Sequence, residues 1–479
     1  MDWLDWFDAH DYEIARQVLQ RGVGALAFVA FWSTLNQFRP LLGEHGLLPV
    51  PELIRRASRL RGPTLFRWGY TDRRLVAVTI GGLVLAASVI LGLPQLGPPW
   101  LPLLVFLALW MLYLSIVNVG QTFYGFGWEM LLCEALFTVA FLGSINEPPP
   151  IMIIVAVWWL VFRLEFGAGM IKIRGGSEWR DLTALMYHHE TQPMPNPVSR
   201  QAHLLPKWFH KGEVLGNHFA QLIVPFLLFV PGPVGSSAAA IVILTQLWLI
   251  VTGNFAWLNW ITVVLAASAV TDTAWHWLIP AIPTDLGTDA ASTPVWWFII
   301  VAAVAVLLLA LSRRPVQNLF SRRQLMNASF NRWMLVNAYG AFGTVTKRRI
   351  EIVVEGTLSE SPDADADWRE YEFKGKPGDL RRMPSQWAPY HLRLDWLMWF
   401  LPLGRIWEPW FEMLLLRFLE ADAATLKLVR LDPFDGQPPR WVRARAYHYR
   451  FSTHAEYRET GERWVRTLQG EVIPPAGLH

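Results

Sequence analysis

Residues 151–170, IMIIVAVWWLVFRLEFGAGM, decide the class of fold. Only Arg163 and Glu165 are charged in this segment. A helix needs about 20 mainly apolar residues to cross a hydrocarbon layer of about 30 Å, so the segment predicts a membrane-spanning helix. On both sides of it lie long stretches without Lys or Arg, residues 75–162 and 212–312. These stretches predict a multi-span membrane domain over residues 1–311.

The composition of the whole chain supports this class. Of the 479 residues, 53% are hydrophobic and 17% are charged, whereas about 25% is ordinary for a soluble domain. The net charge of +3 comes without a basic cluster, which argues against a nucleic-acid partner. Cys133 is the one cysteine, so an intramolecular disulfide framework and CxxC chemistry are excluded.

About eight or nine spans are predicted. Apolar segments of suitable length are residues 75–93, 100–117, 151–170, 295–311, 22–38 and 128–145. Three others are shorter or separated by turn-forming residues, and they are open to assignment as spans, a hairpin or re-entrant segments: residues 219–230, 237–253 and 257–270. The loops at 39–74 and 171–217 and the tail after 312 carry Lys and Arg, whereas loop 271–294 carries three aspartates instead. With nine spans, this pattern predicts an outside N-terminus and a cytoplasmic C-terminal domain.

Residues 312–479 are predicted to form a water-facing, β-rich domain. Alternating, β-branched segments at 349–358, 368–374, 426–431 and 440–451 predict strands, and residues 407–420 predict an amphipathic helix. We expect four to six strands. The predicted fold class is therefore an α-helical polytopic membrane protein with a C-terminal β-rich α+β domain.

Ionisable residues inside predicted spans need partners, because a charge in hydrocarbon is costly. Glu165 and Lys172 share one helix face, and Gly169 between them allows a second helix to approach closely. Glu129 and Glu134 also need partners, and Arg163 is the nearest basic candidate. Two interpretations are open: salt bridges that hold the helices together, or a polar cavity for a substrate or for protons.

The loop at 171–217 is the most polar part of the membrane half. Its adjacent residues His188, His189 and Glu190 point apart on any regular element, and no HxxxH or HExxH spacing occurs, so no metal is expected. The absence of a Gly-x-Ser-x-Gly motif argues against a nucleophilic hydrolase. No cofactor is predicted.

Several sequence blocks resemble the lipase maturation factor family. They occur in one order along the chain: EWRDLT at 178–183, YHHETQP at 187–193, PNP at 195–197, LVNAYG at 335–340, YEFKGKPG at 371–378, PYHLRLDW at 389–396 and RAYHYRFS at 445–452. The membrane half, with GWEM at 127–130, is also distantly similar to the transmembrane unit of vitamin K-dependent carboxylase-like proteins.

The resemblance implies a polytopic membrane protein that, in animal members, lies in the endoplasmic reticulum and assists the folding and assembly of secreted dimeric lipases. It implies no catalytic residues. It places the C-terminal domain on the lumenal side, equivalent to a bacterial exterior, in disagreement with the charge pattern. The single cysteine and the ending Ala-Gly-Leu-His479, which is not a retrieval signal, favour a bacterial plasma-membrane member.

We therefore expect a chaperone-like folding or maturation factor, rather than an enzyme, whose partners are membrane lipids and unfolded or assembling exported proteins, including secreted lipases or other hydrolases. The residues predicted to contact a client are Trp179, Arg180, Asp181, Tyr187, His189, Glu190, Gln192, Asn196, Tyr390, Arg393, Asp395 and Trp396. The alternative is a membrane enzyme acting on a lipid, quinone or lipid-linked group, with Glu165, Lys172, His188 and His189 in an intramembrane cavity. A transporter is disfavoured because the spans show no two-fold repeat.

Overall fold

The structure, a computed structural model, describes residues 5–56, 62–282, 292–363 and 365–478. Four charged residues used above to predict orientation lie outside these ranges: Arg59, Arg61, Asp285 and Asp289. The described chain forms a helical bundle that continues to Phe320, followed by a part that contains the strands. The division of the chain at residue 311 stays a prediction.

The first part of the chain is helical. Its helices are α1 (Glu13–Leu42), α2 (Val50–Arg56), α3 (Asp72–Ile90), α4 (Trp100–Val117), α5 (Gly127–Val139), α6 (Ile151–Arg174), α7 (Ser177–Arg180), α8 (Leu185–Thr191), α9 (Ser199–His203), α10 (Lys207–Leu222), α11 (Val224–Leu227), α12 (Pro233–Thr252), α13 (Leu258–Ala266), α14 (Asp272–Leu278), α15 (Val295–Leu311) and α16 (Arg313–Phe320). Single 3₁₀ turns cover Leu65–Trp68, Pro94–Leu96, Gln121–Tyr124, Ala140–Leu142 and Ala267–Ala269.

Six helical segments among the described residues are long and apolar enough to cross a membrane. They are Glu13–Leu42, Asp72–Ile90, Trp100–Val117, Ile151–Arg174, Pro233–Thr252 and Val295–Phe320. The other predicted spans are shorter helices. Residues 128–145 form α5, which ends at Val139 and continues as one 3₁₀ turn, and residues 257–270 form the apolar helix Leu258–Ala269. Residues 219–230 contain the end of α10 and the whole of α11, which begins just before Pro225.

The chain makes nine helical passes between the two ends of the bundle within the described residues. The passes are α1, α3, α4, α5, α6, α10 with α11, α12, α13 and α15. At the end where α1 begins, called here the distal face, Ile151 N donates to Phe7 O at 2.9 Å. At the end where α1 terminates, called here the domain face, Trp257 Nε1 donates to Trp128 O at 2.9 Å. The number of passes agrees roughly with the eight or nine spans predicted from the sequence.

The outer surface of the bundle is apolar. Exposed side chains on successive helices include Val84, Leu104, Leu244, Val306 and Leu309. Leu309 is 76% exposed, which in water would leave much of its apolar surface unburied. Together with the six long apolar helices, this surface identifies an integral membrane protein.

The C-terminal part is an α+β structure. Its strands are β1 (Arg349–Thr357), β2 (Arg369–Glu370), β3 (Glu372–Phe373), β4 (Val429–Leu431), β5 (Trp441–Phe451) and β6 (Trp464–Ala476), and its helices are α17 (Arg393–Phe400), α18 (Pro409–Leu419), α19 (Ala423–Leu426) and α20 (His454–Thr460). A 3₁₀ turn, Leu401–Leu403, follows α17. The strands form an antiparallel sheet in the order β2-β1-β5-β6 and a small β3-β4 sheet. This confirms the predicted fold class.

The central strand pair is regular. β1 and β5 pair along the whole of β1, with Arg349 opposite Tyr449 and Thr357 opposite Trp441. α20 leads into β6 and begins with a capping box, in which Thr453 and Glu456 satisfy each other's backbone N–H groups. Gly461 ends α20 at φ 71°, a conformation that glycine adopts without strain. The turn therefore sets the direction in which β6 returns along β5.

Candidate functional site

The polar loop of the membrane half lies on the domain face and is held by its own side chains. Asn196 Oδ1 accepts hydrogen bonds from the backbone N–H groups of Val198 and Ser199, each at 3.0 Å, at the start of α9. Gln192 Nε2 donates to Ser199 Oγ and to Thr252 O, each at 2.9 Å. Because Thr252 ends α12, the loop is fixed against a membrane-spanning helix.

Beside this loop, a cavity of about 280 Å³ opens between α6, α8, α10 and α12. Lys172, His188 and His189 line it, together with Trp179 and Phe255 and other mostly apolar side chains. Three of the four residues predicted for an enzyme site therefore share one cavity. Burial, reinforced by His189 and Lys172, lowers the pKa of His188 to about 3, so this ring is neutral near pH 7.

Glu165 lies apart from the cavity lining. Its carboxylate accepts hydrogen bonds from Gln221 Nε2 at 3.1 Å and from Gln246 Nε2 at 2.7 Å. Gln221 Oε1 in turn accepts from Lys172 Nζ at 2.9 Å, so this amide bridges the two charged residues. A Cβ on Gly169 would lie 2.8 Å from Leu222, which shows how closely α10 approaches α6 at this glycine.

Two other acidic residues of the predicted spans, Glu134 and Glu129, form buried ion pairs. Arg163 and Glu134 form a salt bridge, as the sequence predicted, and both side chains are 2% exposed. Glu129 instead pairs with Arg393 of the C-terminal part. The prediction that Arg163 is also the partner of Glu129 is wrong, because the guanidinium of Arg393, from the C-terminal part, forms that ion pair.

Eight of the twelve predicted client contacts are buried. They are Trp179, His189, Glu190, Gln192, Asn196, Arg393, Asp395 and Trp396. The contacts of several connect the polar loop to the C-terminal part: Glu190 Oε2 accepts from Phe451 N at 2.8 Å, and Asn196 Nδ2 donates to Gln386 Oε1 at 2.9 Å. Arg180 and Asp181 are exposed, and Tyr187 and Tyr390 are half-buried. A client contact stays a prediction for the whole set.

Asp395 has an internal role in the C-terminal part. Its Oδ1 accepts a hydrogen bond from Gly375 N at 2.6 Å. Burial raises the pKa of its carboxyl group to about 6, although the Gly375 N–H and Lys376 act in the opposite direction. The structure therefore places Asp395 as a partner of the chain segment that follows β3.

A second cavity, of about 400 Å³, lies at the junction of the bundle and the C-terminal part. Its lining from the bundle includes Trp128 and Leu164, and its lining from the C-terminal part includes Trp396, Trp399 and Phe400. Leu403 and Met326 also line it and are 47% and 51% exposed, so the cavity has an accessible apolar rim. Trp396 is thus the predicted client residue that lies in a cavity wall at the junction.

A further cluster of polar side chains lies beside the first cavity, and no sequence motif had indicated it. His189 from α8 lies next to His210 and Glu213 from α10, and one ligand atom of each lies within 4.8 Å of the others. In the sequence, the adjacent pair His188-His189 indicated a polar site on α8 but gave no sign of a partner on α10. The His210-x-x-Glu213 spacing, which places both side chains on one helix face, was the available signal.

The fold and these sites define a class: a polytopic α-helical membrane protein whose β-rich C-terminal part is joined to the bundle through buried polar contacts. Family models match both parts, "Lipase maturation factor transmembrane domain" at residues 14–277 and "Lipase maturation factor C-terminal domain" at residues 335–474. The chain belongs to the lipase maturation factor family.

Individual relatives match nearly the whole chain. It is 38% identical to Lipase maturation factor 1 of Bos taurus, over 98% of this chain and 90% of the relative. The human Lipase maturation factor 1 is also 38% identical, over 97% of this chain and 88% of the relative. Human Lipase maturation factor 2 is 28% identical, over 97% of this chain and 83% of the relative. No solved structure matches the chain.

Proposed function

We propose that this protein is a chaperone-like folding and maturation factor for exported proteins, with secreted lipases or related hydrolases among its clients, in the plasma membrane of a bacterium. The names of the relatives support a role in lipase maturation. The single cysteine supports the bacterial setting, because a lumenal, oxidising compartment favours chains with several.

The apolar cavity at the junction is the observation that carries the proposal. A folding factor must bind exposed apolar surface reversibly, and each Å² of such surface removed from water contributes roughly 25 cal/mol. The cavity of about 400 Å³ offers aromatic walls at the junction of the bundle and the C-terminal part. Its volume suits a few client side chains, which favours weak and reversible binding.

The rim of the cavity supplies the first contact. Leu403 and Met326 present apolar surface, Trp407 nearby is 70% exposed, and Arg405 and Glu408 add opposite charges. A mixed rim of this kind resembles the composition of protein interfaces, where apolar anchors are surrounded by polar groups. In this mechanism, the client binds by inserting apolar side chains into the cavity between Leu403 and Met326.

Secretion of an active lipase tests the proposal. In a host that lacks this chain, complementation with the wild type is expected to raise the activity per mass of secreted lipase. The double variant Met326→Ser, Leu403→Ser is expected to lose most of that gain, because both rim side chains become polar.

Leu468→Ser is the matched control. Leu468 is 49% exposed on β6, outside the cavity lining, so the variant is expected to retain the gain. Equal activity for the double variant and the control, at equal membrane abundance, would contradict the role of the junction cavity. No gain from the wild type with any exported lipase would contradict the function.

The second candidate function is the membrane enzyme. The specific observation in its favour is that Lys172, His188 and His189 line one cavity. Lys172 Nζ is held by Asn217 Oδ1 and Gln221 Oε1, each at 2.9 Å, and lies 4.5 Å from the centre of the Trp179 ring. Lys172→Ala is expected to leave lipase maturation unchanged if the folding role holds. Loss of maturation in Lys172→Ala with normal abundance would favour the enzyme.

A further inference from the structure

The cluster of His189, His210 and Glu213 contains buried groups without ordinary partners. The His189 side chain is 2% exposed, and neither of its ring nitrogens has a hydrogen bond to any group in the described ranges. Its Nε2 lies 3.5 Å from Glu213 Oε1. Leaving both nitrogens of a buried imidazole unsatisfied is costly, so the position calls for a group that is absent from the protein itself.

The hydrogen bonds of His210 narrow the identity of that group. Its Nε2 lies 3.3 Å from the carbonyl oxygen of His203, and a ring with its proton on Nε2 donates to that oxygen. In this tautomer Nδ1 presents its lone pair, the form in which an imidazole binds a metal ion. This atom lies 2.8 Å from Glu213 Oε2, so a metal ion bound by both atoms would satisfy them together.

The surroundings match those of a metal site. Ligating histidines usually donate their other N–H group to a carbonyl or carboxylate, as His210 does to His203 O. The Glu213 carboxylate is oriented in the same way, because Trp248 Nε1 on α12 donates to Glu213 Oε1 at 2.7 Å. Both interactions fix ligand atoms before an ion arrives.

The spacing of the ligand atoms suits a small ion. Atoms bound at about 2.0–2.1 Å to tetrahedral Zn²⁺ lie roughly 3.3 Å from one another. The three ligand atoms already lie within 4.8 Å of one another, and the proposed ion would draw them to this spacing. Two imidazoles and one carboxylate form a donor set that Zn²⁺ accepts, with one coordination position left open.

We propose that His189, His210 and Glu213 bind one Zn²⁺ ion, and that its open coordination position faces the cavity of about 280 Å³ that His189 and Glu213 line. The ion joins α8 of the polar loop to α10 of the bundle. The open position takes water or an anionic group of a molecule bound in the cavity. This site goes beyond the maturation function, which does not require a metal.

Metal analysis of the purified chain tests the site. Protein without a polyhistidine tag, produced with zinc in the medium and purified in detergent, is expected to contain about one zinc per chain by mass spectrometry. Glu213→Gln and His210→Phe are each expected to reduce this to less than about a tenth. Trp248→Phe is expected to weaken zinc binding by about 10-fold, because it removes the hydrogen bond that orients the carboxylate.

His218→Asn is the matched control. His218 lies on the same helix, but its Nε2 is engaged by the backbone oxygen of Trp179 at 3.1 Å, so the variant is expected to retain zinc.

Wild-type protein stripped with a chelator provides a second measurement that needs no variant. Adding Co²⁺ is expected to give the strong visible absorption of a tetrahedral site. Wild-type protein that contains no zinc and gives no such spectrum would overturn the assignment, and so would full zinc retention in Glu213→Gln.

Discussion

Glu129 in α5 and Arg393 in α17 form a salt bridge in which Nη1 lies 2.5 Å from Oε1 and both side chains are fully buried. The two residues are 264 positions apart in the sequence. The guanidinium also lies 3.4 Å from the centre of the Tyr124 ring, and the Tyr113 hydroxyl group donates a hydrogen bond to the Glu129 carboxylate. One ion pair therefore connects the membrane bundle to the C-terminal part in a site without water access.

Arg393→Met is expected to destabilise the whole protein. The variant leaves the Glu129 carboxylate buried without its cation, and breaking a buried pair in this way typically costs about 3–5 kcal/mol. We expect a lower midpoint of thermal unfolding in detergent and a lower yield of folded protein.

A double variant separates charge from packing. Glu129→Gln combined with Arg393→Met removes both charges, so it is expected to recover part of the lost stability. If Arg393→Met alone unfolds at the wild-type temperature, the pair does not hold the two parts together.

Stability at the junction is expected to fall at acidic pH because of His391. Burial, reinforced by nearby Arg393 and opposed by Glu129, lowers the pKa of this ring to about 4 from its ordinary 6.5. The folded protein holds the ring neutral, so its contribution to stability is fully present above about pH 6.5 and is lost as the pH falls through 4.

The measurement is the unfolding midpoint as a function of pH for the wild type and for His391→Gln. The variant should show a shallower decline between pH 6.5 and 4, since its side chain does not titrate. His454→Gln, at an exposed position of α20, serves as the control. A decline in His391→Gln as steep as in the wild type would assign the acid sensitivity to other groups.

Arg349 is expected to hold the polar loop in place. Its guanidinium, buried in β1, donates to the backbone oxygens of Glu190 at 2.9 Å and of Pro193 at 3.1 Å. Arg349→Lys retains the charge but loses the planar fork that reaches several carbonyls at once. Each lost hydrogen bond costs about 1 kcal/mol, so hydrogen exchange of the amides at 190–200 should accelerate several-fold. Arg348→Lys changes an exposed neighbour and should leave the exchange rate unchanged.

Local patterns predicted much of the fold. Apolar length predicted five of the six long helices found among the described residues, and alternation predicted β1 and β5, because each of these signals lies within one element. The sixth long helix, Pro233–Thr252, covers a segment whose assignment the sequence left open. β6 was missed. Its sequence includes Gly470, Pro474 and Pro475, which break the alternation and are tolerated here because the strand lies at a sheet edge.

The candidate sites were harder to predict, since they combine residues from distant parts of the chain. Arg163 and Glu134 could be paired because both lie in neighbouring predicted spans. The partner of Glu129 comes from α17, and spacing within the membrane half contains no information about it. The histidine cluster likewise joins two helices that pack together only in the folded bundle.

The side of the membrane occupied by the domain face is the last prediction. Within the described residues, the nine passes place the start of α1 and the C-terminal part on opposite sides of the bundle. A factor that assists exported proteins must meet them after export, so the proposed function requires the domain face on the outside. A phosphatase that folds only outside the cytoplasm is therefore expected to be active when fused at His479 and inactive when fused before Met1.

The arginines of loop 39–74 make this a demanding test. Those within the described residues, including Arg39 and Arg74, lie on the domain face, as do Lys172 and Arg174 at the end of α6, and loops rich in Lys and Arg usually stay in the cytoplasm. A fluorescent protein fused at His479, which matures only in the cytoplasm, is expected to stay dark. If it fluoresces while the phosphatase is inactive, the arginine pattern determines the orientation. The junction cavity would then open towards the cytoplasm, and a direct contact with exported clients would be ruled out while the fold and the zinc site would stand.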